Sequence, residues 1–247
     1  MPSLCRPSLV KVLDPYSYEA SFMLEEGATP SQVDRAISTF GMAMGPFTMG
    51  DLAGNDIGYN VRRERGLLDP ATRPPGIRYC GIADRLCELG RFGQKTGAGW
   101  YEYQKAKKTG EEDPQVLELI SAYRAEYSIQ PRSVSAEEIL ERCLYSLVNE
   151  AFKTLEEGIA ARPGDIDVIY VYGYGWPDWR GGPLFWAEEA GLSVVLGAIQ
   201  GYATRFPHVP HWKPSMLLSR IVASGEGLDT WENFVCHATQ IPTISRL

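Results

Sequence analysis

Apolar residues recur at helical spacing along most of the chain. Thr29, Pro30 and Gln32 supply a capping hydroxyl, a first-turn proline and a reciprocal amide, so a helix is predicted to open there. Val33, Ile37 and Phe40 line its inner face, and Gly41 ends it. Ser135 and Glu138 form a second capping box, which opens the longest predicted helix. Leu140, Cys143, Leu144, Leu147, Val148, Ala151 and Leu155 give that helix one apolar stripe, and Gly158 stops it. The stretch from Lys213 to Met216 opens a short helix with Leu217, Leu218 and Ile221 inward and Gly225 at its end. Asp167 to Tyr172 reads as a short strand or as a buried helical segment, because periodicity does not separate the two at this length. Residues 104–114 are charged and read as a solvated linker. Lys105, Lys107 and Lys108 form no net basic patch there, since Glu111, Glu112 and Asp113 follow at once. The chain is expected to be mostly α.

Composition removes several function classes. With 247 residues, 44% of them hydrophobic and 22% charged, the chain can bury a core without staples. Lys and Arg number 24 against 31 Asp and Glu, a net charge of −7, which argues against nucleic acid as a partner. No apolar run approaches the roughly 18–20 residues of a membrane span, and the first residues lack an apolar signal core. Cys5, Cys80, Cys87, Cys143 and Cys236 are odd in number and scattered, which reads as reduced thiols of an intracellular chain. There is no Gly-x-Gly-x-x-Gly string for a dinucleotide. The run Gly93 to Gly99 is only superficially a phosphate loop, because Gln94 stands where a glycine should precede Lys95. His208, His211 and His237 do not have a zinc spacing and read as solvated loop histidines.

The chain repeats itself. Glu19-Ala20 and Leu24 to Gly27 recur as Glu150-Ala151 and Leu155 to Gly158 at an offset of 131. Val33-Asp34 returns as Ile166-Asp167 at 133, and Gly45-Pro46-Phe47 as Gly182-Pro183-Leu184 at 137. Ala53-Gly54 returns as Ala190-Gly191, again at 137. Blocks in the same order imply a duplication, and two like units can pack about a pseudo-twofold axis as an internal dimer. Glu19 and Glu150, at equivalent positions, are expected to be buried structural carboxylates paired with backbone donors. Trp176, Trp179, Phe185 and Trp186 are expected in the core and between repeats.

Pro15-Tyr16, Leu24 to Gly27, Val33-Asp34, Gly45-Pro46-Phe47, Asp51 to Gly54 and Gly90 to Tyr101 resemble the helical C-terminal domain of 3-hydroxyacyl-CoA dehydrogenases. Glu138 to Phe152, Gly173 to Pro177 and Gly181-Gly182-Pro183 resemble the last domain of the peroxisomal bifunctional enzymes, which join an enoyl-CoA hydratase to such a dehydrogenase. The resemblance runs from about residue 12 to the C-terminus. It implies an all-α fold of two tandem helical repeats of the 6-phosphogluconate-dehydrogenase C-terminal type, packed as a pseudo-dimer, with no Rossmann domain. The first repeat is placed at 1–103, a linker and connecting helix at 104–134, and a second, degenerate repeat with a C-terminal tail at 135–247.

The family's base is a His held by a Glu on a preceding Rossmann domain that also binds NAD, so the resemblance assigns this chain no catalytic, cofactor or metal residues. The family's further catalytic Asn falls at Val10 in the first repeat and at Glu141 in the second, and its Arg neighbour at Lys11 and Arg142. The resemblance implies an acyl cleft between Rossmann and helical domains, with Met42, Met44, Gly45, Pro46 and Phe47 as candidates for its helical wall. Ser245-Arg246-Leu247 is similar to a peroxisomal address read by an import receptor. The expected role is therefore the substrate-side and assembly region of a peroxisomal β-oxidation enzyme. Its partners would be acyl-CoA and the Rossmann and hydratase domains, with no nucleic acid or membrane, and the chain alone is expected to be inactive. The alternative is a stand-alone, non-catalytic protein that binds acyl-CoA or a partner. Without the terminal address the location would be cytoplasmic.

Overall fold

The computed structural model describes residues 12–74, 76–104 and 110–235. Eleven α-helices carry the described fold. In the first repeat these are α1 (Leu13–Glu26), α2 (Pro30–Phe40), α3 (Pro46–Ala53), α4 (Asn55–Glu64) and α5 (Ile82–Glu88). Strands β1 (Tyr101–Glu102) and β2 (Glu111–Glu112) form an antiparallel pair with Tyr101 opposite Glu112. Helix α6 (Pro114–Glu126) then leads to α7 (Ala136–Glu156), α8 (Pro163–Gly173), α9 (Pro183–Ala190), α10 (Leu192–Arg205) and α11 (Met216–Ser224).

The helix-opening signals act as read at Thr29, where the full capping box forms, and at Ser215, which accepts from the Leu218 amide. At Ser135 the hydroxyl accepts from the Glu138 amide, but the Glu138 side chain turns away to Arg132, Arg142 and Arg205. Asp167 to Tyr172, left open between strand and helix, is helical, within α8. One reading needs correction. The segment read as a solvated linker is partly built into the fold: Glu111–Glu112 pairs with β1, and buried Asp113 caps α6 at the Gln115 amide and meets Arg91. Lys105, Lys107 and Lys108 lie outside the described residues.

The longest helix, α7, is buried on more than its predicted stripe. Ile139, Arg142, Ser146, Asn149, Glu150 and Phe152 are buried as well. A helix covered nearly all round has neighbours on every side, and α7 packs against α1, α2, α9, α10 and α11. Its contact with α1 is the most extensive among the described elements. The two helices that open the two repeats therefore lie at the centre of the molecule.

Charge sits in that seam. The Arg142 side chain is fully buried. Its Nε donates to Glu19 at 2.6 Å, and its terminal nitrogens donate to Glu26 at 2.7 and 3.0 Å. Glu19 also accepts from His211 Nε2 at 2.7 Å and Trp212 Nε1 at 2.9 Å. Burial alone would raise both carboxyls. At Glu19 the His211 hydrogen bond and the Arg142 charge outweigh it and hold the pKa below its ordinary value. At Glu26, Arg142, Arg78 and Arg132 hold it down to about 2.

A second device is repeated. Asp34 accepts the Phe47 and Thr48 amides at 3.0 and 2.8 Å, and Asp167 accepts the Leu184 and Phe185 amides at 2.7 and 3.2 Å. Each carboxylate, carried on α2 or α8, satisfies orphan amides at the N-terminus of the next α-helix, α3 or α9. A Cβ at Gly45 or Gly182 would overlap the respective Asp, which explains why both glycines recur. The first copy is better satisfied, since Asp34 also accepts from the Thr48 and Tyr101 hydroxyls. Burial pushes Asp167, with only its two amide donors, up to about 6.

Three outcomes are expected. Arg142→Ala removes the cation that Glu19 and Glu26 share in the seam and lowers the unfolding free energy by about 3–5 kcal/mol, measured by urea titration. The Glu26 carboxyl is depressed in the folded state, so its contribution is complete above its ordinary value of 4.5 and is lost as pH falls toward about 2; Glu26→Gln flattens that part of the stability–pH curve. Asp34→Ala costs about 2 kcal/mol and Asp167→Ala about 1, a difference that thermal unfolding of the two variants resolves.

Candidate substrate-facing site

The turn 41–45 links α2 to α3 and carries the candidate wall residues. Met42, Gly45, Pro46 and Phe47 are buried, Met44 is half-buried and Ala43 is exposed. Phe47 packs on Trp100, with ring centroids 4.6 Å apart. Asp34 fixes Phe47 from behind through the amide bond, so the turn enters α3 in one defined direction.

The glycine-rich segment after α5 is folded around a carboxylate of the protein itself. Asp51 accepts the Trp100 and Tyr101 amides at 2.9 and 3.0 Å, the Asn55 side-chain amide at 2.7 Å and the Tyr103 hydroxyl at 3.0 Å. A Cβ at Gly93 or Gly99 would overlap Asp51. Gly99 thus leaves room for the carboxylate and Gly93 for the Asp51 backbone, and a phosphate would meet like charge in the same place. NAD does not fit this loop.

The second repeat reaches the same turn. Its own α8–α9 connection has nine residues where the α2–α3 connection has five. The extra length accounts for the change of offset from 133 to 137. Gly175 C=O accepts the Ala43 amide at 2.9 Å, and Arg180 Nε donates to Phe40 C=O at 3.0 Å. The Arg180 guanidinium lies 4.1 Å from the ring centres of both Phe40 and Trp179. Trp176 and Trp186 pack edge-on against Phe40, each 5.3 Å from it. Trp176 is therefore in the core as expected from its sequence, whereas Trp179 is 69% exposed and Phe185 also faces solvent.

A cavity of about 470 Å³ lies elsewhere, on the seam between repeats. Tyr18, Phe22, Arg78, Glu150, Lys153 and His211 are among its walls, and none of Met42, Met44, Gly45, Pro46 or Phe47 lines it. His211 corrects the reading of solvated loop histidines: its side chain is only 10% exposed and bonded to Glu19. His208 is exposed, and His237 lies outside the described residues. Glu19 is buried, but its partners are side chains and not backbone donors. Glu150 is buried 3.4 Å from Lys153. Sequence spacing had no signal for these pairings, because Glu19 lies 123 and 192 positions from Arg142 and His211.

Val10, Lys11 and the Ser245-Arg246-Leu247 tail lie outside the described residues. Of the second-repeat counterparts, Glu141 accepts the Tyr202 hydroxyl at 2.7 Å and Arg142 is spent in the seam. Cys80, Cys87 and Cys143 are free and buried. Burial pushes the Cys87 thiol up to about 11 and raises the other two, so none is a ready thiolate nucleophile. Among the described residues there is no cluster of three or more His, Cys, Asp or Glu suited to a metal, and no helix long and apolar enough to cross a membrane.

The chain is similar to known proteins over most of its length. The family model for the 3-hydroxyacyl-CoA dehydrogenase C-terminal domain matches residues 9–103 and again 139–234. The peroxisomal bifunctional enzyme of Danio rerio is 50% identical over 223 residues, covering 87% of this chain and 31% of the relative. The Homo sapiens enzyme of the same name is 48% identical over 233 residues, covering 90% and 32%. The chain thus spans about a third of the length of these relatives. The dehydrogenase part of multifunctional enzyme 1 from C. elegans superposes with a TM-score of 0.66 at 24% identity, covering 87% of this chain and 48% of that one, which is a likeness of fold. Matched in both of its repeats, the chain belongs to the 3-hydroxyacyl-CoA dehydrogenase C-terminal domain family.

Proposed function

We propose that this chain is the helical, substrate-side and assembly region of an NAD-dependent (3S)-3-hydroxyacyl-CoA dehydrogenase of peroxisomal fatty-acid β-oxidation. The observation that carries this reading is the double family match, which stands beside relatives named peroxisomal bifunctional enzyme. NAD and the His base belong to a Rossmann domain, which supplies hydride acceptance when the cofactor is bound. Hydration of the enoyl thioester belongs to a further domain.

The residues of this chain bind and shape. Met44 and exposed Ala43 form the helical wall of the acyl cleft, with Met42, Gly45, Pro46 and Phe47 setting its contour from the core side. Methionine adapts to chains of different shape, which suits a wall that meets variable acyl groups. Leu52, Ile57 and Val61 leave large apolar side chains open to solvent in the first repeat, which supports cover by another part of the protein. Ser245-Arg246-Leu247 addresses the protein to the peroxisome through the import receptor.

The test is acetoacetyl-CoA-dependent oxidation of NADH. The chain alone gives a flat trace, and a polypeptide that also carries the family's Rossmann domain turns over. In that polypeptide Met44→Ala changes the ratio of KM for hexadecanoyl-length and butanoyl-length substrates by about threefold to tenfold. Turnover by the chain alone that scales with its concentration overturns the reading.

A further inference from the structure

We infer that the longer α8–α9 connection of the second repeat is a clamp on the first repeat's substrate-facing turn, with Arg180 and Trp179 as positioning residues for acyl-chain selection. The inference rests on the wall reading of Met42 to Phe47 given above and extends it to a part of the chain that the motifs did not single out for that role.

Four observations converge on the clamp. The connection is longer than its counterpart by four residues, and those residues are spent on the other repeat. The Ala43 amide, in the middle of the turn, finds its acceptor at Gly175 and not within its own repeat. Arg180 holds the start of the turn twice, through Nε on the Phe40 carbonyl and through its flat face on the Phe40 ring. Both glycines at the contact are needed for closeness: a Cβ at Gly41 would stand 3.2 Å from Pro177 and 3.3 Å from Trp179, and one at Gly175 would stand 2.8 Å from the Ala43 Cβ.

The physical consequence is directional. A five-residue turn with an exposed centre has few contacts of its own and would open readily. The Phe40 carbonyl is at the C-terminal end of α2, where a cation is favoured. Arg180 supplies that cation on a planar group that also stacks, which Lys does not reproduce. Trp179, largely exposed, meets the same guanidinium at 4.1 Å, so the cation is held within reach of two rings, Phe40 and Trp179. The position of Met44, and with it the depth of the wall, is thereby set from the repeat that carries no substrate turn of its own.

The experiment pairs two readouts. Amide hydrogen exchange of residues 42–45 is measured in the full chain for Arg180→Ala, Arg180→Lys and Trp179→Ala. Chain-length preference, as the KM ratio of long to short acyl-CoA, is measured for the same substitutions and for Met44→Ala in the polypeptide that also carries the Rossmann domain. The clamp predicts exchange faster by about tenfold in Arg180→Ala, little rescue by Arg180→Lys, and a KM ratio shifted in the same direction as in Met44→Ala with kcat for the short substrate retained. Unchanged exchange at 42–45 in folded Arg180→Ala overturns the clamp. Faster exchange with an unshifted ratio, while Met44→Ala does shift it, overturns the positioning role and leaves the wall reading standing. A ratio unmoved by Met44→Ala as well overturns the wall reading, and the positioning role with it. If Arg180→Ala fails to fold, Trp179→Ala, at an exposed side chain, carries the same comparison.

Discussion

The placement of Arg142 constrains everything else. A guanidinium with no exposure is tolerable only if several acceptors reach it, and Glu19 and Glu26 come from the other repeat to do so. The seam between α1 and α7 is therefore fixed in register as well as buried. A purely apolar seam would tolerate sliding; a fork that must meet two carboxylates does not. Glu19 is in turn held by His211 and Trp212, so the segment after α10 is drawn into the same network. Asn149 completes that attachment by donating to the His211 and Lys213 carbonyls and accepting from the Ser215 amide.

Away from the seam, buried carboxylates organise the loops. Asp34 and Asp167 each stop a helix N-terminus from leaving unsatisfied amides, and Asp51 gathers the glycine-rich loop around itself. In all three cases glycine stands opposite the carboxylate because nothing larger leaves room. The two repeats differ in their support. In the first, Tyr101 and Thr48 add donors to Asp34, while in the second Asp167 takes two backbone amides and the connection is longer. That connection reaches across the seam to the first repeat's turn and makes the second repeat a buttress for the first.

Much of this was legible in the residues. Helix starts at Thr29 and Ser215 follow from local hydrogen bonds within three residues, which sequence displays directly. The repeated Val-Asp and Gly-Pro blocks were visible as a pattern, and the fold explains them as a capping carboxylate and the glycine that makes space for it. The Asp167 to Tyr172 segment was ambiguous because a short apolar run has no period of its own, and packing between elements made it helical. Ser135 shows the opposite limit: its capping box was locally plausible, yet Glu138 gains more from three arginines than from one amide.

The sequence by itself determined the helical class, the duplication and the family, because each is written in local spacing and ordered motifs. Tertiary structure alone decided which distant partners the buried polar groups meet. Glu19 meets Arg142 and His211, the glycine loop meets Asp51, and the Ala43 amide meets Gly175, across separations that no periodicity encodes. The reason is physical: a helix is specified by bonds to near neighbours, whereas a buried charge or an unpaired amide is satisfied by whichever distant group the packing of apolar faces brings within about 3 Å.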